Sequence, residues 1–305
     1  MKAKLVFGLQ VGLFFLTTFP LMGQGKWGPL LESDVLLNTG NSYGGGASVA
    51  FDGRRYLVVW AQETNAPLRS DIYGRFLDRS GNLVGAPFLI VSKPGHQYEP
   101  VVAFNGTNYL VVWSDNMGTL PGVDTINARA VTTAGQPLAS DVVVSQSTTN
   151  TRYSPAVASN GSDFFIVWAD NRNFDVTQGD ISGCMVTIDP DGSARVVVGD
   201  MGYHSLLDES GPSVAFGSGY FIFTWCSETV PGDTQADVYA AIVSADGLTS
   251  WGEFPITTAS SYQQGATASF DGSNFLVAWQ DHRAGKDDVY AARVSEAGVL
   301  LDGPP

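Results

Sequence analysis

The sequence predicts an all-β protein, a five-bladed β-propeller built from four-stranded antiparallel blades. Three observations carry this. One unit recurs five times. Each copy holds short runs rich in Val, Ile, Phe and Tyr. A single run precedes the first copy where the last copy lacks one.

The repeat is read first from tryptophan. Trp60, Trp113, Trp168, Trp225 and Trp279 each end an apolar run, at spacings of 53, 55, 57 and 54 residues. A shorter partner run precedes each, ending at Phe51, Phe104, Ser159, Phe216 and Phe270, and the joints read DG, NG, NG, GSG and DG. Gly, Asn and Asp tolerate the positive φ of tight turns, so each pair is a β-hairpin. A third run begins near Asp71, Asp124, Asp180, Asp237 and Asp288, followed by a turn at Gly81, Gly135, Gly192, Gly247 and Gly298. A fourth run closes four copies: PFLIV, DVVVS, ARVVV and EFPIT. The fifth copy reaches Pro305 before its own. Residues 34–38 (DVLLN) stand before the first hairpin as PFLIV stands before the second. We therefore expect blade repeats over about 47–92, 100–145, 155–199, 212–258 and 266–305, with 34–38 completing the last blade and closing the ring. Closure hides sheet edges that would otherwise template aggregation.

Residues 1–23 read as a secretory signal: Lys2 and Lys4, an apolar stretch to Phe19, then Pro20 to Gly23. Gly8, Gln10 and Gly12 dilute that stretch, and it is short for a bilayer span of about 20 residues. The expectation is a single domain over 24–305, secreted or periplasmic, monomeric, with no membrane insertion after the signal is removed. The 305-residue chain carries 16 Lys and Arg against 30 Asp and Glu, a net charge of -14. Phosphate contacts need clustered cations, so nucleic acid is excluded as a general partner. Cys184 and Cys226 are too few for a disulfide framework or a four-cysteine zinc site, and we read them as two buried thiols. His96, His204 and His282 are isolated, with no zinc-protease motif.

The consensus P-x-V-A-F-D/N-G-x-x-Y-L-V-V-W-x-D-x-R followed by D-I/V-Y resembles the repeats of secreted bacterial β-propeller proteins. The resemblance spans essentially the whole chain after the signal and implies the architecture, not a chemistry. Gln62 and Ser227 replace the Asp after Trp in the first and fourth copies, and Ser182 replaces a Tyr in the third.

Strand order puts the short glycine turns on one rim and the long, variable loops and connectors on the other, where binding belongs. The tryptophans are read as packing between blades. The connector tyrosines Tyr43, Tyr98, Tyr153 and Tyr262, with Tyr203 at a shifted offset, suit a sugar or peptide by one reading and inter-blade hydrogen bonds by the other. Asp115, Asp170 and Asp281 sit two residues after Trp, with Arg172 and Arg283 two further on. They could meet a polar ligand, or brace a loop as charge-assisted pairs. No cofactor is expected, apart from calcium in the oxygen-rich loops at Asp170, Asn173 and Asp175 or Asp281 and Asp287.

The first functional reading is a binding module for a glycan, a cell-wall component or an extracellular protein. The alternatives are a glycoside hydrolase-like enzyme on a five-bladed propeller, and a structural domain of an envelope assembly. An enzyme needs two carboxylates about one bond, and these should break the repeat. The acids off the pattern are Glu63, Asp208, Glu209, Glu228 and Asp233. An enzyme should also show one cleft with unmatched carboxylates of perturbed pKa.

Overall fold

A computed structural model describes residues 35–37, 42–63, 69–116, 123–138, 141–145, 150–172, 174, 178–203, 205–228 and 235–302. Among them nineteen strands follow one another. They are β1 (Ser42–Phe51), β2 (Arg55–Glu63), β3 (Ser70–Asp78), β4 (Leu83–Val91), β5 (His96–Phe104), β6 (Asn108–Asn116) and β7 (Thr125–Thr132). Next come β8 (Val142–Ser145), β9 (Arg152–Ser159), β10 (Phe164–Asp170), β11 (Asp180–Ile188), β12 (Ala194–Tyr203) and β13 (Glu209–Gly217). The chain ends with β14 (Tyr220–Glu228), β15 (Ala236–Ser244), β16 (Ser250–Thr257), β17 (Gln263–Phe270), β18 (Phe275–Asp281) and β19 (Asp288–Val294).

The strands pair as consecutive antiparallel meanders: β1–β4, β5–β8, β9–β12, β13–β16 and β17–β19. We number these units 1 to 5. A single parallel bridge, Ser70 to His96, joins units 1 and 2 into one sheet. Within each unit the first hairpin closes where the sequence places it. In unit 5, Phe270 pairs with Phe275, and Asp271 Oδ1 accepts the amides of Ser273 and Asn274, both at 2.8 Å. The glycines between third and fourth strands have φ of 74 to 85°, a conformation that penalises any Cβ. The fold is all-β, and the stacked four-stranded sheets are the β-propeller arrangement.

Period-2 alternation explains the packing, because each central strand shows one set of side chains to the unit before it and the other to the unit after. Trp113 shares a core with Leu57 and Val59 of unit 1, and Trp168 with Leu110 and Val112 of unit 2. Trp225 packs with Phe165 and Val167 of unit 3, and Trp279 with Ile222 and Val238 of unit 4. The tryptophans are therefore the expected inter-unit core, and no solvent-facing indole from this set lies open for sugar stacking. The first strands pack in the order β1, β5, β9, β13, β17.

Each first strand also carries a bulge with positive φ, at Gly46, Glu99, Ser154, Gly211 and Gly265. The extra residue bends the strand near its rim, as bulges do. This feature recurs in all units and was not read from the sequence.

The closing strand expected over 34–38 is not seen as a strand. Residues 35–37 lie outside any ladder, and Asp34 and Asn38 lie outside the described residues. Unit 5 has three strands, and beyond β19 there is one isolated bridge, Val294 to Leu300. Val289 of β19 is 82% exposed, whereas its counterparts Ile72, Ile126, Ile181 and Val238 are fully buried. The next unit covers those four, and nothing comparable among the described residues covers Val289. The expected signal segment, 1–23, also lies outside the described residues. No helix among the described residues is long and apolar enough to cross a membrane.

Candidate functional site

The ends of the second strands, the starts of the third and the connectors all meet at one rim, and the polar residues cluster there. The repeated Trp-x-Asp corner is mostly internal. Trp168 Nε1 donates to Asp170 Oδ2 at 3.0 Å and Trp279 Nε1 to Asp281 Oδ2 at 2.9 Å. Trp113 reaches Asp115 at 3.3 Å, and Trp60 meets Gln62 at 3.5 Å. Arg172 grips Asp170 through Nε at 2.9 Å and Nη2 at 2.5 Å. Arg283 grips Asp281 in the same way, and Nη2 also reaches Thr257 Oγ1 at 3.1 Å. Burial opposes the charge of Asp281, but the Arg283 and Trp279 bonds outweigh it and hold the carboxyl at about 2. Asp170 is lowered in the same contest, with Arg152 adding to Arg172. Asp115 has only Lys93 at 3.6 Å as a cation, and there burial wins and raises it.

The tyrosines divide. Tyr98 donates its hydroxyl to Asp124 Oδ2 at 2.7 Å. Tyr153 is half-buried beside Asn171, with its phenol raised by burial and then by the charges of Asp208 and Glu99. Tyr262 is 41% exposed. The side chain of Tyr43 lies outside the described residues, as do Asn173, Asp175, His204 and Asp233. Asp175 thus leaves its suggested calcium loop without description. Among the described residues no three His, Cys, Asp or Glu side chains gather as metal ligands. Cys184 on β11 and Cys226 on β14 are both buried and outside any disulfide.

Three of the acids that break the repeat, Asp208, Glu209 and Glu228, come together at the entry to unit 4. Asp208 Oδ1 accepts the amide of Gly179 at 3.0 Å, and the amide of Glu209 bonds the Gly179 carbonyl at 2.8 Å. A Cβ at position 179 would overlap Asp208 Oδ1, so glycine is what admits the carboxylate. The amide of Glu228 bonds the Asp208 carbonyl at 3.0 Å. Asp208 and Glu228 line a cleft of about 1020 Å³ between units 4 and 5, together with Tyr262, Gln280, His282 and Asp287. Glu63, by contrast, ends β2 far along the chain and is solvent-exposed.

Two carboxyls on this cleft are driven apart. Burial raises Asp208, and the negative charge of Glu228 adds to it against the Gly179 bond. Asp287 is lowered by hydrogen bonds from Gln280 and then His282, whose Nδ1 lies 3.0 Å from Asp287 Oδ1. Burial and a neighbouring charge favour the protonated form of one carboxyl on the cleft, and hydrogen bonds favour the ionised form of the other, a split that acid–base chemistry uses. Asp208 and Glu228 are among the off-pattern acids that the sequence offers an enzyme, whereas it offers Asp287 only as a calcium ligand and His282 only as an isolated histidine.

No protein-family model matches the chain, and no curated protein matches it in sequence. Solved structures do match it in shape. A Dyadobacter fermentans protein of unknown function aligns with TM-score 0.56 at 12% identity, over 85% of this chain and 80% of that one. An α-L-arabinanase from Penicillium chrysogenum, solved with arabinobiose, aligns with TM-score 0.56 at 12% identity, over 81% of this chain and 80% of that one. At such identity the likeness is one of fold.

Proposed function

We propose that this chain is a glycan-acting hydrolase whose site is the cleft between units 4 and 5. The observation that carries the reading is the pair of oppositely shifted carboxyls, Asp208 and Asp287, on one cleft. Asp208 gives its proton to the leaving glycosidic oxygen. Asp287, tethered by His282, takes the proton of the attacking water. Burial and then the charge of Glu228 favour the protonated form of Asp208, and the exposed ring of Tyr262 offers a sugar an apolar face. The arabinanase neighbour acts on a glycan by its name, and that likeness in fold makes a glycan the first substrate to try.

Release of reducing sugar from a polysaccharide panel by residues 24–305 tests this. Asp208→Asn and Asp287→Asn should each lower the rate by about a hundredfold or more, with melting unchanged. A protein that retains glycans in affinity electrophoresis but cleaves none would instead be a binding module. That second reading has its own support in Tyr262, which suits a bound sugar equally well.

The reading also takes the propeller as five blades closed by the leading segment, exported and monomeric. Arg129 Nη1 of β7 bonds the Ile90 carbonyl of β4 at 2.8 Å, and Arg75 Nη1 of β3 bonds the Leu37 carbonyl at 2.9 Å. Leu37 thus stands to unit 1 as the outer strand of unit 1 stands to unit 2. That supports residues 34–38 as the missing fourth strand of unit 5.

A further inference from the structure

Unit 4 departs from its neighbours at one buried pair. Gln97, Arg152 and Gln263 lie opposite Asp115, Asp170 and Asp281 in the first hairpins of their units. Two of them turn a donor to the acid: Gln97 Nε2 reaches Asp115 Oδ1 at 3.3 Å, and Arg152 Nε is 3.4 Å from Asp170 Oδ1, whereas Gln263 Nε2 donates to the Ser261 carbonyl at 3.0 Å. In unit 4 the same position holds Glu209, opposite Ser227. The acid has moved to the other strand.

Glu209 is 1% exposed, and its Oε2 has no hydrogen-bond partner among the described residues. The Ser205 hydroxyl and the Ile181 amide reach the carboxyl. The charged groups bearing on it are carboxylates, Asp180 from β11 and Glu253 from β16, with Asp208 next in the chain. An anion there would be buried and face others of its own sign, so the site favours the neutral acid.

We propose that Glu209 is the positioning residue of the Asp208 site. As a neutral acid it lets residues 208 and 209 lie clamped on Gly179, and its ionisation loosens the clamp and draws the Asp208 carboxyl from the cleft. The role of Asp208 in this statement rests on the hydrolase reading, whereas the neutrality of Glu209 and the clamp do not. Burial first, then the charges of Asp180 and Glu253, push Glu209 from 4.5 up to about 8. The unfolded chain ionises near the ordinary value, so stability declines as pH rises between the two values and levels off above the upper one.

Glu209→Gln installs the amide found at Gln97 and Gln263 and cannot ionise. Between pH 5 and 8 the wild type should lose about 5 °C of melting temperature relative to this variant. In the wild type, carbon-13 NMR of the Glu209 carboxyl should titrate near 8. As pH rises toward that value, exchange of the Gly179 amide should rise more than the tenfold per unit due to hydroxide, and it should not do so in Glu209→Gln. If a glycan is cleaved, the alkaline limb of the rate should move up by about one pH unit in the variant. A wild-type carboxyl titrating near 4.5, or parallel melting curves, would overturn the proposal. Should the variant fail to fold, the wild-type NMR titration and Gly179 exchange decide alone. A normal Glu209 titration with intact, Asp208-dependent hydrolysis would sink this inference only. A raised titration with no hydrolysis would sink only the enzyme reading.

Discussion

The rim corners of units 4 and 5 are built on the same backbone and use their acids in opposite ways. In unit 5, Asp281 is fully buried and bonded by the Trp279 indole and the Arg283 guanidinium. In unit 4, Ser227 stands in its place and the acid appears opposite as Glu209, with one oxygen unbonded. One corner sets its acid against an indole and a guanidinium, and the other sets its acid among charges of its own sign. A buried acid that faces carboxylates and not a cation is where function is sought first.

Breaking the unit 5 corner should have the largest effect on stability. Asp281→Ala leaves Arg283 and the Trp279 N–H without their acceptor, and should cost about 3–5 kcal/mol. Ser227→Ala in unit 4 removes no such network and should stay within about 0.5 kcal/mol. Urea unfolding of both variants measures the contrast. The two corners should also separate by pH. The depressed Asp281 contributes stability above the ordinary carboxyl range, and this is lost as pH falls toward about 2. Glu209 acts on the other side, with stability lost as pH rises toward about 8. Asp281→Asn should therefore flatten the melting profile below pH 4, and Glu209→Gln should flatten it above pH 5.

The next effect concerns the seam, where unit 5 differs from every unit with a covered face. If residues 34–38 complete unit 5, their deletion removes the Leu37 clasp on Arg75 and leaves the outer edge of β19 unpaired. Losing the packing of one or two apolar side chains of such a strand suggests a loss of about 2–4 kcal/mol, with a concentration-dependent rise in light scattering. An unchanged melting profile without aggregation would count against closure.

Much of this architecture is legible in the sequence because it obeys short-range rules. The five Trp runs, the Asp-Gly and Asn-Gly joints and the five turn glycines each act within a few residues, and all appear where the pattern puts them. What is not legible depends on pairing across strands. Gln97, Arg152, Glu209 and Gln263 are not all of one residue type. Their common position emerges only when each is set opposite the residue two past Trp. Aligning the connectors on that register would have marked Glu209 beforehand. That Asp287 and His282 share a cleft with Asp208 is not legible for another reason: the cleft is formed by two adjacent units, and no spacing within one repeat encodes it.

The smallest effect isolates the indole bond from the bulk of the tryptophan. Trp279→Phe and Trp60→Phe remove the same atoms from equivalent strand ends. The N–H of Trp279 lies 2.9 Å from a buried carboxylate, whereas that of Trp60 lies 3.5 Å from the Gln62 amide oxygen. Both variants lose packing, but only the first removes a short charge-assisted bond and leaves Asp281 with one donor fewer. Trp279→Phe should therefore cost about 1 kcal/mol more than Trp60→Phe in urea unfolding at pH 7. The gap should close in Asp281→Asn, where the acceptor no longer carries charge. A gap that persists there would locate the difference in packing against unit 4 rather than in the corner bond.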